Sequence, residues 1–230
     1  MNNNDFIVVI PAWNEEESIG CLLETLNNLS IRSMVVDDGS EDRTSEIAQK
    51  FNTKLIQHHK NLGYENALST GIHKAADDGY KYAITMDADG QIDTKDILRF
   101  VRVAREERSD VVIGIRDYRN RFCERILCLF GQLRFRIKDP LCGIKLYKLK
   151  KAKQFFPFDS HKLVGMELAF RMSEVGMKIS QINISIKVRE GLSRYGSSIK
   201  GELRILKSLY KAIFIFGFTQ NKNILRKKSR

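Results

Sequence analysis

Short apolar runs and amphipathic segments alternate through the first half of the chain. The runs are mostly apolar and lack the polar alternation of a half-exposed strand, which is typical of strands buried on both faces of a parallel sheet. They cover residues 6–10, 33–36, 54–57, 82–86 and 111–115. Segments with helical spacing lie between them, and the clearest cover residues 44–51, 67–76 and 97–106. This alternation predicts an α/β fold with right-handed crossovers.

The pattern changes after about residue 116. Arginines are interleaved with Phe and Leu up to residue 138, namely Arg116, Arg119, Arg121, Arg125, Arg134 and Arg136. Further strands are predicted at residues 143–147 and 178–188, and further helices at 150–155, 165–175 and 199–216. We therefore predict a single domain over residues 1–218 with two halves, 1–115 and 116–218, followed by a basic tail at 219–230.

Polar side chains follow three of the predicted strands, at the point where each strand ends. They are Asn14 and Glu15, Asp37 and Asp38, and Asp87 and Asp89. In open α/β sheets, ligands bind beyond the carboxyl ends of the strands. A functional site is therefore expected at this edge of the sheet.

The segment Asp87-Ala-Asp89 is the sharpest chemical feature of the sequence. Side chains two residues apart on an extended chain point the same way, so both carboxylates can face one ion. Carboxylate oxygens shared with substrate phosphates suit Mg²⁺ or Mn²⁺, and Gln91 is within reach of the same ion. Ordinary turn aspartates are the alternative, but Asp93 already supplies a cap for the next helix. We predict a metal site formed by Asp87, Asp89 and Gln91.

The turn Asp37-Asp38-Gly39-Ser40 has two interpretations. It is either an ordinary turn of Asp, Gly and Ser residues, or a site where an aspartate accepts hydrogen bonds from the base or ribose of a nucleotide. In the second case residues 11–15 form the neighbouring wall. Trp13 either stacks on the base or packs in the core.

The composition restricts the partners of the protein. The fractions of hydrophobic (43%) and charged (29%) residues are ordinary for a globular domain. A formal net charge of +11 indicates an anionic partner, and nucleotide phosphates and acidic lipid both fit. A basic nucleic-acid-binding domain is a competing interpretation. The acidic cluster opposes it and no RNA- or DNA-binding signature is visible, so we expect no nucleic-acid partner.

Neither the cysteines nor the histidines show metal-binding spacing. The four cysteines lack a CxxC pattern, and the N-terminal residues do not resemble a signal peptide, so we expect reduced thiols and a cytoplasmic location. The histidines are expected at the surface, and they are His58, His59, His73 and His161.

Taken together, these segments resemble the family 2 glycosyltransferases, which have the GT-A fold with a mostly parallel central sheet. The matching segments are residues 9–16, 35–44, 61–63 and 87–91. Within that family the chain is most similar to the dolichol-phosphate mannose synthases and the bacterial polyprenyl-phosphate sugar transferases. This closer likeness rests on residues 114–116, 139–145, 165–167 and 189–196. The chain departs from the family pattern at Tyr64-Glu65 and at Ile144-Lys145.

The resemblance implies inverting, metal-dependent transfer of a hexose from a nucleoside diphosphate sugar, with residues 1–115 as the donor half. The implied metal ligands for Mg²⁺ or Mn²⁺ are Asp87, Asp89 and Gln91. The implied nucleotide-sugar site is Pro11, Ala12, Trp13, Glu15, Asp37, Asp38, Asp87 and Ala88. The implied catalytic residues are Asp89, Arg116, Asp139 and Glu167. The implied acceptor-phosphate residues, in the half 116–218, are Arg116, Lys145, Arg189, Ser193 and Arg194.

Two acceptor chemistries fit the resemblance. A polyprenyl phosphate is already ionised and needs positioning and charge neutralisation, for which the arginine-rich segment is suited. A hydroxyl of a surface polysaccharide or lipid-linked oligosaccharide needs a general base. Asp139 and Glu167 are the candidate bases, unless they pair with arginines. The lipid phosphate is the preferred prediction, and the intact Asp87 and Asp89 pair disfavours an inactive nucleotide-sugar-binding scaffold.

The C-terminal segment determines the expected relation to a membrane. No apolar stretch reaches the roughly 20 residues needed to span a bilayer. One face of the predicted helix 199–216 is apolar, and it carries Leu203, Leu206, Tyr210, Ile213 and Phe216. This face either lies on an anionic membrane surface or packs on the domain or a second subunit. The sugar, the base and the oligomeric state are left open by the sequence.

Overall fold

The computed structural model describes residues 5–90, 93–117, 122–158, 161, 163–186 and 199–217. The strands are β1 (Phe6–Ala12), β2 (Ser33–Asp37), β3 (Thr53–Gln57), β4 (Tyr82–Thr85), β5 (Val111–Arg116), β6 (Lys145–Lys148) and β7 (Ile179–Ile184). The helices are α1 (Ile19–Asn28), α2 (Thr44–Ala48), α3 (Tyr64–Asp77), α4 (Lys95–Glu106), α5 (Phe122–Phe135), α6 (Leu149–Ala152), α7 (Glu167–Glu174) and α8 (Ile199–Phe216).

All seven strands form one sheet in the order β3-β2-β1-β4-β6-β5-β7. Strand β6 is antiparallel to both of its neighbours, and the other pairs are parallel. Both predicted halves contribute strands to this sheet. The predicted mostly parallel α/β architecture is therefore confirmed.

Alternate residues of the central strand β1 enter two separate hydrophobic cores. Ile7 and Val9 lie in one core, together with residues of α3, α5, α7 and α8. Phe6, Val8 and Ile10 lie in the other core, together with residues of α1 and α4. Burial on both faces explains why the strand sequence is apolar throughout rather than alternating.

Strand register brings the ends of β4, β5 and β6 to one edge of the sheet. Thr85 of β4 and Ile113 of β5 both pair with Lys145 of β6. Because β6 is antiparallel, it begins at the edge where β4 and β5 end. The residues after Thr85, the last residue of β5 (Arg116) and the residues before Lys145 therefore meet. On the other side of β4, Ala12 of β1 pairs with Asp37 of β2 at the same edge.

Helix α5 is the main element that the sequence pattern did not predict. Its buried residues include Leu127 and Phe135, but Leu129 and Leu133 on its other side are 57% and 76% exposed. Because apolar residues occur on both sides and arginines lie among them, no single apolar face is visible in the sequence.

Several predicted bounds shift by a few residues. Helix α7 starts at Glu167 instead of residue 165, because Val164 and Gly165 have positive φ angles of 52° and 68°. The predicted helix at 150–155 is α6 followed by a 3₁₀ turn, Lys153–Phe155. Strand β7 ends at Ile184, and the tail 219–230 lies outside the described residues.

The expected surface position of the histidines is wrong for two of the four. Only 10% of the His58 side chain is exposed. The ring of His73 stacks on Phe156, with 3.9 Å between ring centroids, and burial lowers its pKa. Both positions belong to the packing around α3, which sequence spacing alone does not reveal.

Candidate active site

Asp87 lies near two cationic side chains at the edge where β4, β5 and β6 meet. It follows the end of β4 by two residues, Arg116 ends β5 and Lys145 begins β6. The charges of Lys145 and Arg116 both act to lower the pKa of Asp87, which places the three groups in one electrostatic site. The ammonium of Lys145, which is 3% exposed, donates to the carbonyl oxygen of Cys142 at 2.6 Å.

The carboxyl of Asp87 is nevertheless difficult to ionise. Burial and the neighbouring charge of Asp89 raise its pKa from 3.8 to about 6, against the opposing effects of Tyr64, Lys145 and Arg116. The hydroxyl of Tyr64 donates to Oδ1 of Asp87 at 3.0 Å. A bound cation would relieve both the repulsion between the two carboxylates and the cost of burying the charge of Asp87.

The donor set fits a divalent cation that is shared with substrate. Asp87 and Asp89 supply hard carboxylate oxygens, and Gln91 lies outside the described residues. Within the described part of the chain, no group of three or more His, Cys, Asp or Glu side chains could hold a metal ion. A pair of carboxylates suits Mg²⁺ or Mn²⁺, which complete their coordination with water and substrate phosphates.

A glycine of the segment before β6 makes room for the carboxylate of Asp87. A Cβ atom built on Gly143 would overlap both oxygens and Cγ of Asp87. Any side chain at position 143 would therefore displace this carboxylate. Gly143 lies in the segment 139–145, which carried part of the family resemblance. A steric requirement therefore explains the glycine at this position.

Arg116 and Asp139 form a buried ion pair next to Asp87. The Nε and Nη2 groups of Arg116 donate to the two oxygens of Asp139 at 2.8 and 2.9 Å, and the backbone N–H of Arg116 donates at 3.1 Å. Asp139 is fully buried. Burial alone would lower the pKa of Arg116, but the hydrogen bonds and charge of Asp139 more than offset this and raise it. The guanidinium is thus charged and fixed in orientation.

Glu167 is the second carboxylate that the sequence predicts on the acceptor side, and it is also fully buried. It accepts from the backbone N–H of His161 at 3.2 Å, lies 3.0 Å from His161 Nδ1, and pairs with Arg171 one turn along α7. Three of the predicted acceptor-phosphate residues lie outside the described residues, namely Arg189, Ser193 and Arg194.

A cleft of about 590 Å³ opens beside the ends of β2 and β3, and Trp13 lines it together with Asp37. Trp13 is 42% exposed. Core packing is therefore wrong for this residue. Pro11, Ala12 and Ala88 are buried and are not among the residues that line this cleft.

The two aspartates of the turn after β2 have different surroundings. Asp37 accepts from the N–H of Ser40 at 3.0 Å and from the hydroxyl of Ser45. Asp38 is 2% exposed and accepts from the N–H groups of Leu62 and Gly63 at 2.9 and 2.7 Å. Asp38 therefore attaches the loop before α3 to the sheet edge, which the turn pattern did not predict.

Glu15 lies four residues before the start of α1. Its carboxylate accepts from the Ser18 hydroxyl at 2.7 Å, and its backbone N–H donates to Thr44 Oγ1 at 2.7 Å. These bonds fix the segment 11–15 against α2. Only 9% of Glu15 is exposed.

Sequence reasoning missed two site residues, His58 and Tyr64. His58 Nδ1 lies 2.7 Å from Asp38 Oδ1, and its Nε2 lies 3.1 Å from Thr70 Oγ1. His58 directly follows β3, so its position at a strand end was an available signal. Tyr64 was visible only as a departure from the family pattern, and its contact with Asp87 was not.

The comparisons with known proteins identify the family. Residues 7–126, slightly more than half of the chain, match the family model described as Glycosyl transferase family 2. The chain therefore belongs to this family and is a glycosyltransferase.

Individual relatives agree with this assignment. An uncharacterized protein of Methanocaldococcus jannaschii is 30% identical, and the match covers 91% of this chain and 99% of the relative. Dodecaprenyl-phosphate galacturonate synthase of Rhizobium johnstonii is 27% identical over 92% of this chain and 67% of its own. The likeness to polyprenyl-phosphate sugar transferases is thereby confirmed.

A solved structure supports the fold. Glucosyl-3-phosphoglycerate synthase of Mycobacterium tuberculosis, in complex with Mn²⁺, uridine diphosphate and glucosyl-3-phosphoglycerate, has a TM-score of 0.72. The match covers 95% of this chain and 82% of that chain at 17% identity. The GT-A fold is therefore shown.

We expect Asp87→Asn to stabilise the metal-free protein at pH 7.5. A folded pKa near 6 against an ordinary 3.8 means that ionised Asp87 costs folding free energy above pH 6. The cost falls as the pH drops from 6 toward 4, where the carboxyl is protonated in the folded state. The expected gain is roughly 1–3 kcal/mol, read as a rise in Tm of about 2–4 °C per kcal/mol. Thermal melts at pH 7.5 and pH 4.5 measure it, and the gain should shrink at pH 4.5.

Asp77→Asn, on the exposed side of α3, is the matched control for this substitution. It should leave Tm unchanged at pH 7.5. A Tm for Asp87→Asn that is equal to or below that of the unmodified protein at pH 7.5 would contradict the electrostatic description of the site.

Proposed function

We propose that this glycosyltransferase moves a hexose, with inversion, from a nucleoside diphosphate sugar to the phosphate of a polyprenyl lipid. The donor half holds the nucleotide and, at Asp87 and Asp89, Mg²⁺ or Mn²⁺. Support comes from the dodecaprenyl-phosphate activity in the name of one relative and from the Mn²⁺ and uridine diphosphate in a structural neighbour.

This proposal depends mainly on the burial and the ion pairs of two carboxylates, Asp139 and Glu167. A hydroxyl acceptor needs a base to take its proton, whereas a lipid phosphate is already ionised. Asp139 and Glu167 are both fully buried, and each is paired with a guanidinium group. A carboxylate held in this way is a poor base, because accepting a proton would break a charge-assisted pair. Among the described residues, the acceptor side of the site therefore supplies positively charged groups and not a general base.

Arg116 and Lys145 are the residues that we assign to the acceptor phosphate. Asp139 occupies the Nε and Nη2 edge of the guanidinium, so the Nη1 edge is the one assigned to a phosphate oxygen. We assign Arg189, Ser193 and Arg194 to the same phosphate on the basis of the family resemblance alone. Fixed positive charge then aligns the nucleophilic oxygen with the anomeric carbon without the need to reorganise solvent.

The nucleotide is assigned to the cleft beside Trp13, where an exposed indole is available for stacking on the base. Trp13 and Asp37 line this cleft. We assign Pro11, Ala12, Glu15, Asp38 and Ala88 to the nucleotide-sugar site on the basis of the family resemblance alone. Asp38 acts mainly by holding the loop 61–63 in place. A divalent cation at Asp87 and Asp89 would neutralise the charge that develops on the leaving diphosphate.

An apolar surface on α5 and α8 supports contact with the membrane that contains the acceptor. Helix α8 docks on the core through one face, which carries Ile205, Leu209, Ala212 and Phe216. Its other face exposes Leu203, Leu206, Tyr210, Ile213 and Phe214. The adjacent helix α5 exposes Phe122, Ile126, Leu129 and Leu133. We call these nine exposed side chains the α5–α8 surface.

We propose that the α5–α8 surface lies on the cytoplasmic face of the membrane. Nine large exposed apolar residues on two packed helices exceed what a surface in water ordinarily carries. Exposed Arg204 and Lys207 lie on α8 and suit anionic lipid. No described helix is long and apolar enough to cross a bilayer. The four free cysteines agree with a reducing compartment.

The function is tested by release of nucleoside diphosphate. We expect release from one nucleotide sugar of a panel, with Mn²⁺ or Mg²⁺, to rise at least 10-fold when a short polyprenyl phosphate is added. Asp89→Ala should abolish this release, and Asp77→Asn should retain it. Release that is stimulated by a saccharide hydroxyl and unaffected by the lipid phosphate would favour the hydroxyl acceptor instead.

Membrane contact is tested by flotation with phosphatidylglycerol vesicles at about 0.15 M salt. The unmodified protein should float, and Leu133→Glu combined with Phe214→Glu should reduce the floated fraction several-fold. Leu29→Glu, an exposed leucine at the end of α1 outside this surface, is the matched control and should float normally. Unmodified protein that stays at the bottom of the gradient would disprove the contact.

A further inference from the structure

Helix α3 begins next to the active site with Tyr64 and Glu65. These are the two residues at which the chain departs from its family pattern. The hydroxyl of Tyr64 donates to Oδ1 of Asp87 at 3.0 Å. The same carboxylate lies against the backbone of Gly143. Asp87 thus contacts both a hydroxyl group and a glycine of the segment before β6.

The ring of Tyr64 is itself held by a loop from the acceptor half. A Cβ atom built on Gly165 would lie 3.1 Å from Cε1 and 3.8 Å from the hydroxyl oxygen of Tyr64. The loop keeps this close approach through Glu65, which is 4% exposed and accepts from the N–H of Val164 at 3.1 Å. Val164 and Gly165 both have positive φ angles, so the loop has a fixed, unusual conformation.

We propose that Tyr64 is a positioning residue that orients Asp87 for the divalent cation, and that Glu65 and the loop 163–166 hold Tyr64 in place. This inference rests on the metal site of the proposed function. It also assigns a role to the dipeptide in which the chain departs from its family. The ring of Tyr64 thereby connects Asp87, in the donor half, to the loop 163–166 of the acceptor half.

The hydroxyl is the part of Tyr64 that matters for this role. Hydrogen bonds to an ionised acceptor are stronger than neutral ones, and they fix the direction of the carboxylate lone pairs. Tyr64→Phe retains the ring that packs against Gly165 and removes the hydroxyl that donates to Asp87. We expect the dissociation constant for Mn²⁺ to rise about 10- to 150-fold, which is the range for losing one charged hydrogen bond.

The experiment measures Mn²⁺ binding by the EPR signal of free aqueous Mn²⁺, with uridine or guanosine diphosphate present. Tyr80→Phe is the matched control, because its hydroxyl contacts Arg32 at 3.5 Å on another part of the surface. Tyr80→Phe should bind Mn²⁺ within twofold of the unmodified protein, and both variants should unfold in a single cooperative thermal transition. Equal Mn²⁺ affinity in Tyr64→Phe and the unmodified protein would overturn the role of Tyr64.

A second pair of variants tests the loop. Gly165→Ala introduces a methyl group against the Tyr64 ring in a left-handed conformation, whereas Gly176→Ala has a similar φ of 77° with nothing within 4 Å. Backbone strain is therefore matched, and only Gly165→Ala should weaken Mn²⁺ binding, by at least 3-fold. Equal affinities in the two variants would overturn the contribution of the loop. An unmodified protein that binds no Mn²⁺ would overturn the metal site, and with it this inference.

Discussion

A partly buried carboxylate next to another carboxylate is the constraint around which this site is arranged. Asp87 and Asp89 lie at the end of β4, and burial together with their mutual repulsion raises the pKa of Asp87 to about 6. The neighbouring groups act against this cost: Tyr64 donates a hydrogen bond, and Lys145 and Arg116 supply positive charge. A folded protein that keeps such a pair does so at the expense of stability, which is common at functional sites.

The buried positive charge of the site is likewise compensated by a group of opposite charge. Arg116 is mostly buried, and Asp139 compensates its charge with two short hydrogen bonds. This pairing fixes the guanidinium beside Asp87 and also removes Asp139 as a base. Glu167 is paired in the same way with Arg171. Under the proposed function, carboxylates that pair with arginines suit an anionic acceptor better than a neutral hydroxyl.

The fold and the acidic edge could be predicted from sequence because both depend on local patterns. Buried parallel strands are apolar throughout, and polar residues at their ends mark the ligand edge. Contacts between distant segments could not be predicted in this way. The bond from Tyr64 to Asp87, the burial of His58 against Asp38, and helix α5 all depend on tertiary packing. The departure at Tyr64 was visible as a deviation, but its meaning required the structure.

The central claim is that Asp87 and Asp89 form the metal site of a nucleotide-sugar enzyme. A crystal of the protein grown with Mn²⁺ and uridine diphosphate, measured at the manganese absorption edge, tests it most directly. One anomalous peak is expected at bonding distance from a carboxylate oxygen of Asp89 and adjacent to Asp87, with the diphosphate bound to the same ion. An ordered diphosphate with no peak at these carboxylates, or a peak at another site, would contradict it.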